Sequence, residues 1–435
     1  MSGAGTTNDL RGTAADITTL LAGRLADVDA VERLAERSVR RETGRSGLSL
    51  STGLPAAALL HAELAATRPE GRRTAHALLA RAIAQEPPSD GGALYDGLPA
   101  LAFAARATAA TPDDYRLLLA QLDPYVADLA LLRVERLTRR APATLTMAGY
   151  DVIQGLTGLG RYLLMADPGG IALREVLSFL VSLTDEPAEV AGHEVPGWWV
   201  TGPPWFQARH DPRYAHGHAN LGLAHGIAGP LALLAIAWRE GRRVPGQRRA
   251  ITAITDVLLR WRRPDGWPGT LTLGQWLGHD EPPVVCNATW CYGVPGIARA
   301  IQLAGLALGR TDWSRVADDA MRSLIERPAG RLHLAGAGLC HGWAGLLHIA
   351  RRIAADGAGD ADEAAHLVAG LAARHTIGHF DPALPFGFRY PIAADEPPAD
   401  GAGLLDGSGG TALALHAYAI GGAPTSRWDA ALLIG

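Results

Sequence analysis

Lysine is absent from this 435-residue chain, and all 40 basic residues are arginine. That absence removes Schiff-base chemistry and the phosphate-gripping lysine of nucleotide-binding loops. Cysteine is nearly as scarce. Cys286, Cys291 and Cys340 are too few for a disulfide framework and fit a reducing, cytoplasmic setting. Charged residues make up only 19% of the chain and the formal net charge is -4, which gives no electrostatic footing for a nucleic-acid partner. The first residues lack the basic stretch and apolar core of a signal peptide. No window approaches the roughly 18 uncharged apolar residues of a membrane span, so no transmembrane segment is expected.

Glycine and apolar residues are plentiful instead, with 52 glycines and an apolar fraction of 48%. One pattern recurs: a turn ending in glycine, two residues, a small residue, then an apolar helical run. Seven copies are led by Gly53, Gly97, Gly155, Gly226, Gly293, Gly342 and Gly407, spaced 44 to 71 residues apart. Each interval holds a two-helix unit and a loop of variable length. Glycine lets the turn bend sharply or approach a neighbour, and the small fourth residue lets inner helices crowd together. The pattern predicts an all-α fold, an α/α toroid of seven inner and outer helix pairs forming one domain over 1–435; a curved open solenoid is the alternative. Pro-, Gly- and aromatic-rich stretches at about 186–220 and 372–403 read as long structured loops. The tryptophans gather between Trp198 and Trp343, which marks that half as the substrate side unless they only pack long loops.

Equivalent positions in a repeat array point to equivalent places, so the residues just before each leading glycine are informative. They are Thr52, Asp96, Gln154, His225, Tyr292, His341 and Asp406. One position earlier, Cys291 and Cys340 match each other in consecutive copies, and His341 adjoins the second. Two thiolates and an imidazole select zinc over magnesium or calcium, and three protein ligands leave a catalytic open position. Cys286 is a candidate fourth, closing ligand. The bland alternative is a pair of buried apolar cysteines beside a core histidine.

The segments YDVIQGLTG (150–158), NLGLAHGIAG (220–229), WCYGVPG (290–296) and CHGWAG (340–345) together resemble the lanthionine synthetase C family, the cyclases of class I lantibiotic biosynthesis. The resemblance covers nearly the whole chain. It implies an α/α toroid with one central zinc ion on Cys291, Cys340 and His341. It also implies a reaction: Michael addition of a cysteine thiol to dehydroalanine or dehydrobutyrine in a dehydrated ribosomal precursor peptide, which forms a thioether ring. A separate dehydratase would supply the peptide, and transient association with a membrane-bound transporter complex is compatible with cytosolic chemistry. His225 matches the family's active-site histidine and is the acid–base candidate. Asp151 matches its catalytic aspartate and would orient His225, although an aspartate near a helix start is more often a cap. Tyr292 would donate a hydrogen bond to the enolate, and Trp290 would wall the cavity, unless both only pack. Asn287 stands where the family usually has arginine. It keeps a hydrogen-bond donor but no charge, which weakens the expected enolate stabilisation. Two rival functions follow: a non-catalytic zinc-stabilised peptide-binding scaffold, and thiol addition to another acceptor.

Overall fold

A computed structural model describes residues 3–41, 47–85, 87–88, 91–140, 145–204, 208–283, 286–357, 361–391 and 398–435. In chain order the helices begin with α1 (Gly3–Leu25), α2 (Val28–Arg41), α3 (Leu54–Leu64), α4 (Gly71–Ile83), α5 (Gly97–Thr108) and α6 (Arg116–Thr138). They continue with α7 (Met147–Tyr150), α8 (Leu156–Ala166), α9 (Ile171–Asp185), α10 (Ala228–Arg239), α11 (Gln247–Arg260) and α12 (Leu273–Trp276). The last are α13 (Val294–Leu308), α14 (Thr311–Ile325), α15 (Trp343–Ala355), α16 (Ala361–Gly378) and α17 (Ser408–Ile420). The described strands are three residues each: β1 (Ala188–Val190) with β2 (His193–Val195), and β3 (His218–Asn220) with β4 (Thr270–Thr272), both pairs antiparallel. The protein is therefore predominantly helical.

All seven glycine turns foreseen from the sequence open a helix: α3, α5, α8, α10, α13, α15 and α17. These are the apolar helices. In α10, every residue from Ala228 to Ala237 is buried. The helices between them bury one stripe only. In α11 that stripe is Gln247, Ala250, Ile251, Ile254, Thr255 and Leu258, the three-and-four spacing of an amphipathic helix with one face on a core.

The glycines serve close approach more than unusual torsion angles. The residues capping α3, α8, α13, α15 and α17 are glycines with ordinary negative φ. A Cβ at Gly155 would stand 2.2 Å from the Asp151 nitrogen, and one at Gly293 2.3 Å from the Thr289 nitrogen. The fourth-position glycines meet the carbonyl six residues upstream: a Cβ would lie 2.2 Å from Trp290 O at Gly296 and 2.1 Å from Leu339 O at Gly345. The small residue thus admits the turn's own backbone, and not only a neighbouring helix.

The chain divides into two compact units, residues 1–123 with 324–430, and residues 124–323 with 431–435. Consecutive glycine turns are hydrogen-bonded within each. In the second unit Val152 N donates to Ala224 O (3.0 Å), and Leu223 N and Ala224 N both donate to Cys291 O (2.8 and 3.1 Å). In the first unit Leu339 N and Cys340 N donate to Leu405 O (2.7 and 3.1 Å), Leu404 N donates to Leu50 O (3.0 Å), and Leu50 N donates to Tyr95 O (2.9 Å). The last copy therefore joins the first. Helix α17 packs on both α3 and α1.

The 372–403 stretch begins later than the sequence suggested. Helix α16 continues to Gly378, with Ala372, Ala373 and Thr376 buried, so its first seven residues are helical. Residues 392–397 of that stretch, and 205–207 of the 186–220 stretch, lie outside the described residues. The 186–220 stretch carries β1, β2 and β3, which are too short to leave an alternation visible in the sequence.

Candidate functional site

In the second unit the turn before α8 carries Asp151, which is 1% exposed. Its Oδ1 accepts the N–H groups of Gln154 and Gly155, both at 2.7 Å, satisfying donors where the helix starts. Its Oδ2 lies 2.5 Å from Nδ1 of His225, a side chain 32% exposed on the turn before α10. The aspartate both closes its own turn and orients the histidine, and its two oxygens divide the tasks. A carboxylate committed as acceptor makes Nδ1 the donor and leaves Nε2 as the histidine's acid–base nitrogen.

Tyr292 stacks beside that histidine, with ring centroids 6.0 Å apart and planes inclined by 29°. Its hydroxyl accepts a hydrogen bond from Nδ2 of Asn220 (3.3 Å), so the phenolic proton is directed elsewhere. Asn220 was not singled out from the sequence, although it opens the NLGLAHGIAG motif. It is fully buried, its Oδ1 accepts from Gly222 N (3.1 Å), and its carbonyl accepts from Ile227 N (2.9 Å). The side chain ties Tyr292 to the turn that carries His225.

Cys291 is half-buried, and its Sγ lies 3.6 Å from Thr289 Oγ1. Asn287, standing where arginine was expected, shapes this loop. Its Oδ1 accepts from Thr289 N (3.1 Å) and its carbonyl from Val294 N (2.7 Å). The side-chain bond makes an Asx turn, which an arginine cannot form. Trp290 is fully buried and donates its indole N–H to Leu432 O (3.0 Å) in the C-terminal segment. Arg299, also fully buried, holds the next stretch through Ile434 O (2.8 Å). The structure thus places Trp290 as an anchor for that segment. Cys286 is buried in the same loop as Cys291.

In the first unit the turn before α15 presents Cys340 and His341, both half-buried. With Asp406 on the turn before α17 they form a group whose potential ligand atoms all lie within 4.8 Å of one another. His341 Nδ1 is 3.8 Å from Asp406 Oδ1. Thiolate, imidazole and carboxylate in that space suit a small tetrahedral cation, and the half-buried setting leaves room for a further donor. Cys291 belongs to the other unit and is not in this cluster. Asp406 is an addition to the residues singled out from sequence. At the matching position of the second copy, Asp96 Oδ1 caps α5 through Gly97 N (2.9 Å), whereas α17 has no side-chain cap. Tyr95, buried beside this cluster, has its phenol pushed well up, first by burial and then by the Cys340 charge.

Three comparisons bear on this arrangement. Residues 45–433 match the family described as lanthionine synthetase C-like protein. The nisin biosynthesis protein NisC of Lactococcus lactis subsp. lactis is 26% identical over 248 residues, a stretch covering 54% of this chain and about half, 56%, of that protein. A solved structure named nisin cyclase superposes with a TM-score of 0.76 at 22% identity, covering 96% of this chain and 98% of the other.

Proposed function

The chain belongs to the lanthionine synthetase C-like family, and from that premise we propose that it is a zinc-dependent lanthionine cyclase. The reaction is addition of a cysteine thiol of a dehydrated ribosomal peptide across the double bond of dehydroalanine or dehydrobutyrine. The observation that carries this reading is the His225–Asp151 pair at 2.5 Å, with the histidine half-exposed and the carboxylate buried. A purely structural histidine has no need of an exposed edge.

Cys340 and His341, with Asp406 beside them, would hold the zinc, and the family resemblance adds Cys291 as a further ligand; the metal's contribution when bound is to favour the thiolate form of a substrate cysteine. His225 Nε2 takes the proton released from the thiol, while Asp151 holds the ring and stabilises the imidazolium. As the new C–S bond forms at the β-carbon, the π electrons move onto the carbonyl oxygen as an enolate. The Tyr292 hydroxyl, already accepting from Asn220, donates toward that oxygen. The proton on His225 then goes to the α-carbon, and the addition is balanced with no leaving group. Asn287 contributes through the Asx turn that shapes the Cys291 loop.

We read the seven copies as one α/α toroid. The hydrogen bond from Leu404 N to Leu50 O, joining the last copy to the first, supports closure. A dehydratase would supply the peptide, and a transporter would take the product. No helix among the described residues is long and apolar enough to cross a membrane. We place the reaction in the cytoplasm, a setting that suits Cys286, Cys291 and Cys340, none of which is in a disulfide. The test is incubation of zinc-loaded protein with a dehydrated peptide, followed by counts of free thiols and mapping of thioether linkages. Thiol loss no faster than in buffer, at full zinc occupancy, rejects the reading.

A further inference from the structure

Arginines crowd a groove of the first unit at the far ends of α15 and α17 from the Cys340 and Asp406 turns. The groove, about 710 Å³, is lined by Arg11 of α1, Arg351 and Arg352 of α15, Arg374 of α16 and Tyr418 of α17. Among the described residues, Glu363 is the one acidic side chain in its wall. Arg352 has a partner, Asp429, at 3.7 Å, and that carboxylate is also 3.0 Å from His348 Nε2. Arg11, Arg351 and Arg374 have no carboxylate at ion-pair distance among the described residues. Arg351 donates to Gly422 O (2.8 Å), and its other terminal nitrogen, Nη1, is buried without a hydrogen bond. The Arg11 guanidinium lies 5.8 Å from the Tyr418 ring. Burial pulls the Arg351 guanidinium down to about 10, against the pull of Asp429 and with help from the Arg352 and Arg11 charges.

Such convergence of like charge is unfavourable in itself, and it stands out in a chain of net charge -4. The negative end of α15 accounts for Arg351 and Arg352 near its last turn. It does not account for Arg11 and Arg374, which lie in the interiors of their helices. Apolar surface adjoins the charge: Leu367 is 53% exposed, and Leu371 lines the same groove. A bare phosphate would fill a small part of this volume and leave the leucines uncovered.

We propose that this groove binds an acidic peptide segment, with its carboxylates on Arg11, Arg351 and Arg374 and its apolar side chains on Leu367 and Leu371. Helix α15, 13 residues or about 20 Å long, separates it from the Cys340–His341 turn, so binding here is independent of the thiol chemistry.

The probe is a short dye-labelled peptide alternating Asp and Leu, titrated with the full chain and followed by fluorescence anisotropy; its Asn–Leu counterpart is the control. The Asp–Leu peptide binds the wild-type chain, and the Arg11→Glu/Arg374→Glu double variant binds it at least about tenfold more weakly. Both substituted side chains are exposed, and helical circular dichroism checks the fold. If the double variant fails to fold, Arg374→Gln alone is expected to weaken binding about threefold. No binding to the wild-type chain, equal binding of the Asn–Leu peptide, or unchanged affinity in the folded variant overturns the proposal. Displacement of the peptide by an equal concentration of inorganic phosphate overturns it too, because the site would then be one for a small oxyanion.

Discussion

Replacing Asp151 with asparagine separates the two tasks of one side chain. The Asp151→Asn change removes the charge but keeps an oxygen that still accepts from Gln154 N and Gly155 N, each now at 2.7 Å. Charge-assisted hydrogen bonds are roughly twice as strong as neutral ones, so the stability loss is about 2 kcal/mol. The other half of the amide is a donor, and it meets the Nδ1 of His225 that the carboxylate holds at 2.5 Å. The ring must adopt the tautomer with its proton on Nε2, which disables the nitrogen meant to accept one. Turnover should fall by about 10²–10⁴. Two measurements check this: thiol loss from a dehydrated peptide with zinc-loaded protein, and side-chain ¹⁵N chemical shifts of His225. Wild-type turnover in Asp151→Asn, or a proton still on Nδ1, would refute the reasoning. Asp151→Ala loses both turn hydrogen bonds as well and should unfold markedly more easily than Asp151→Asn in denaturant.

Asp406→Asn should weaken zinc binding about 10- to 100-fold in a chelator competition while Cys340→Ala abolishes it; equal affinities for Asp406→Asn and wild type would leave the carboxylate with no part in the site. Gly345→Ala would drive a methyl group to 2.1 Å from Leu339 O. The Cys340 turn must then shift, so denaturant unfolding should occur earlier by more than an ordinary surface substitution allows. Acid should loosen both units through buried histidines. Burial lowers His61 and His218 to about 4, against backbone hydrogen bonds with Leu25 and Gly202 respectively. Both are neutral when folded, while the unfolded chain takes up a proton near 6.5. Their contribution is complete above that pH and is lost as pH falls toward 4, by roughly 3 kcal/mol each. Urea midpoints measured down that range should drop less in His61→Gln and His218→Gln than in wild type; parallel curves would count against the histidines.

The helix starts were legible because each needs a glycine at a fixed place, and seven repetitions made the signal stand above composition. Cys340 and His341 were legible for the same reason. Asp151 was ambiguous because a carboxylate that closes its own turn and one that orients a histidine are the same residue at the same position. Asp406 was harder: sequence places it level with Asp96, and only the three-dimensional arrangement shows that one bonds its own turn while the other stands beside His341. Asn220 and Trp290 depended on partners 72 and 142 residues away. No local pattern encodes contacts at that range. The purpose of the fourth-position glycines was equally hidden, since the carbonyl they admit belongs to the turn just behind them.

The pairing of α1 with α17, together with the bond from Leu404 to Leu50, has a consequence for how the first unit comes apart. In a linear stack of repeats an end unit has a single neighbour and peels first, so melting spreads inward from the tips. Here α1 is laid over α17, and two helices far apart in sequence lock each other in place. Folding of this unit must wait until α17 has been synthesised, and loosening either helix exposes the apolar face of the other.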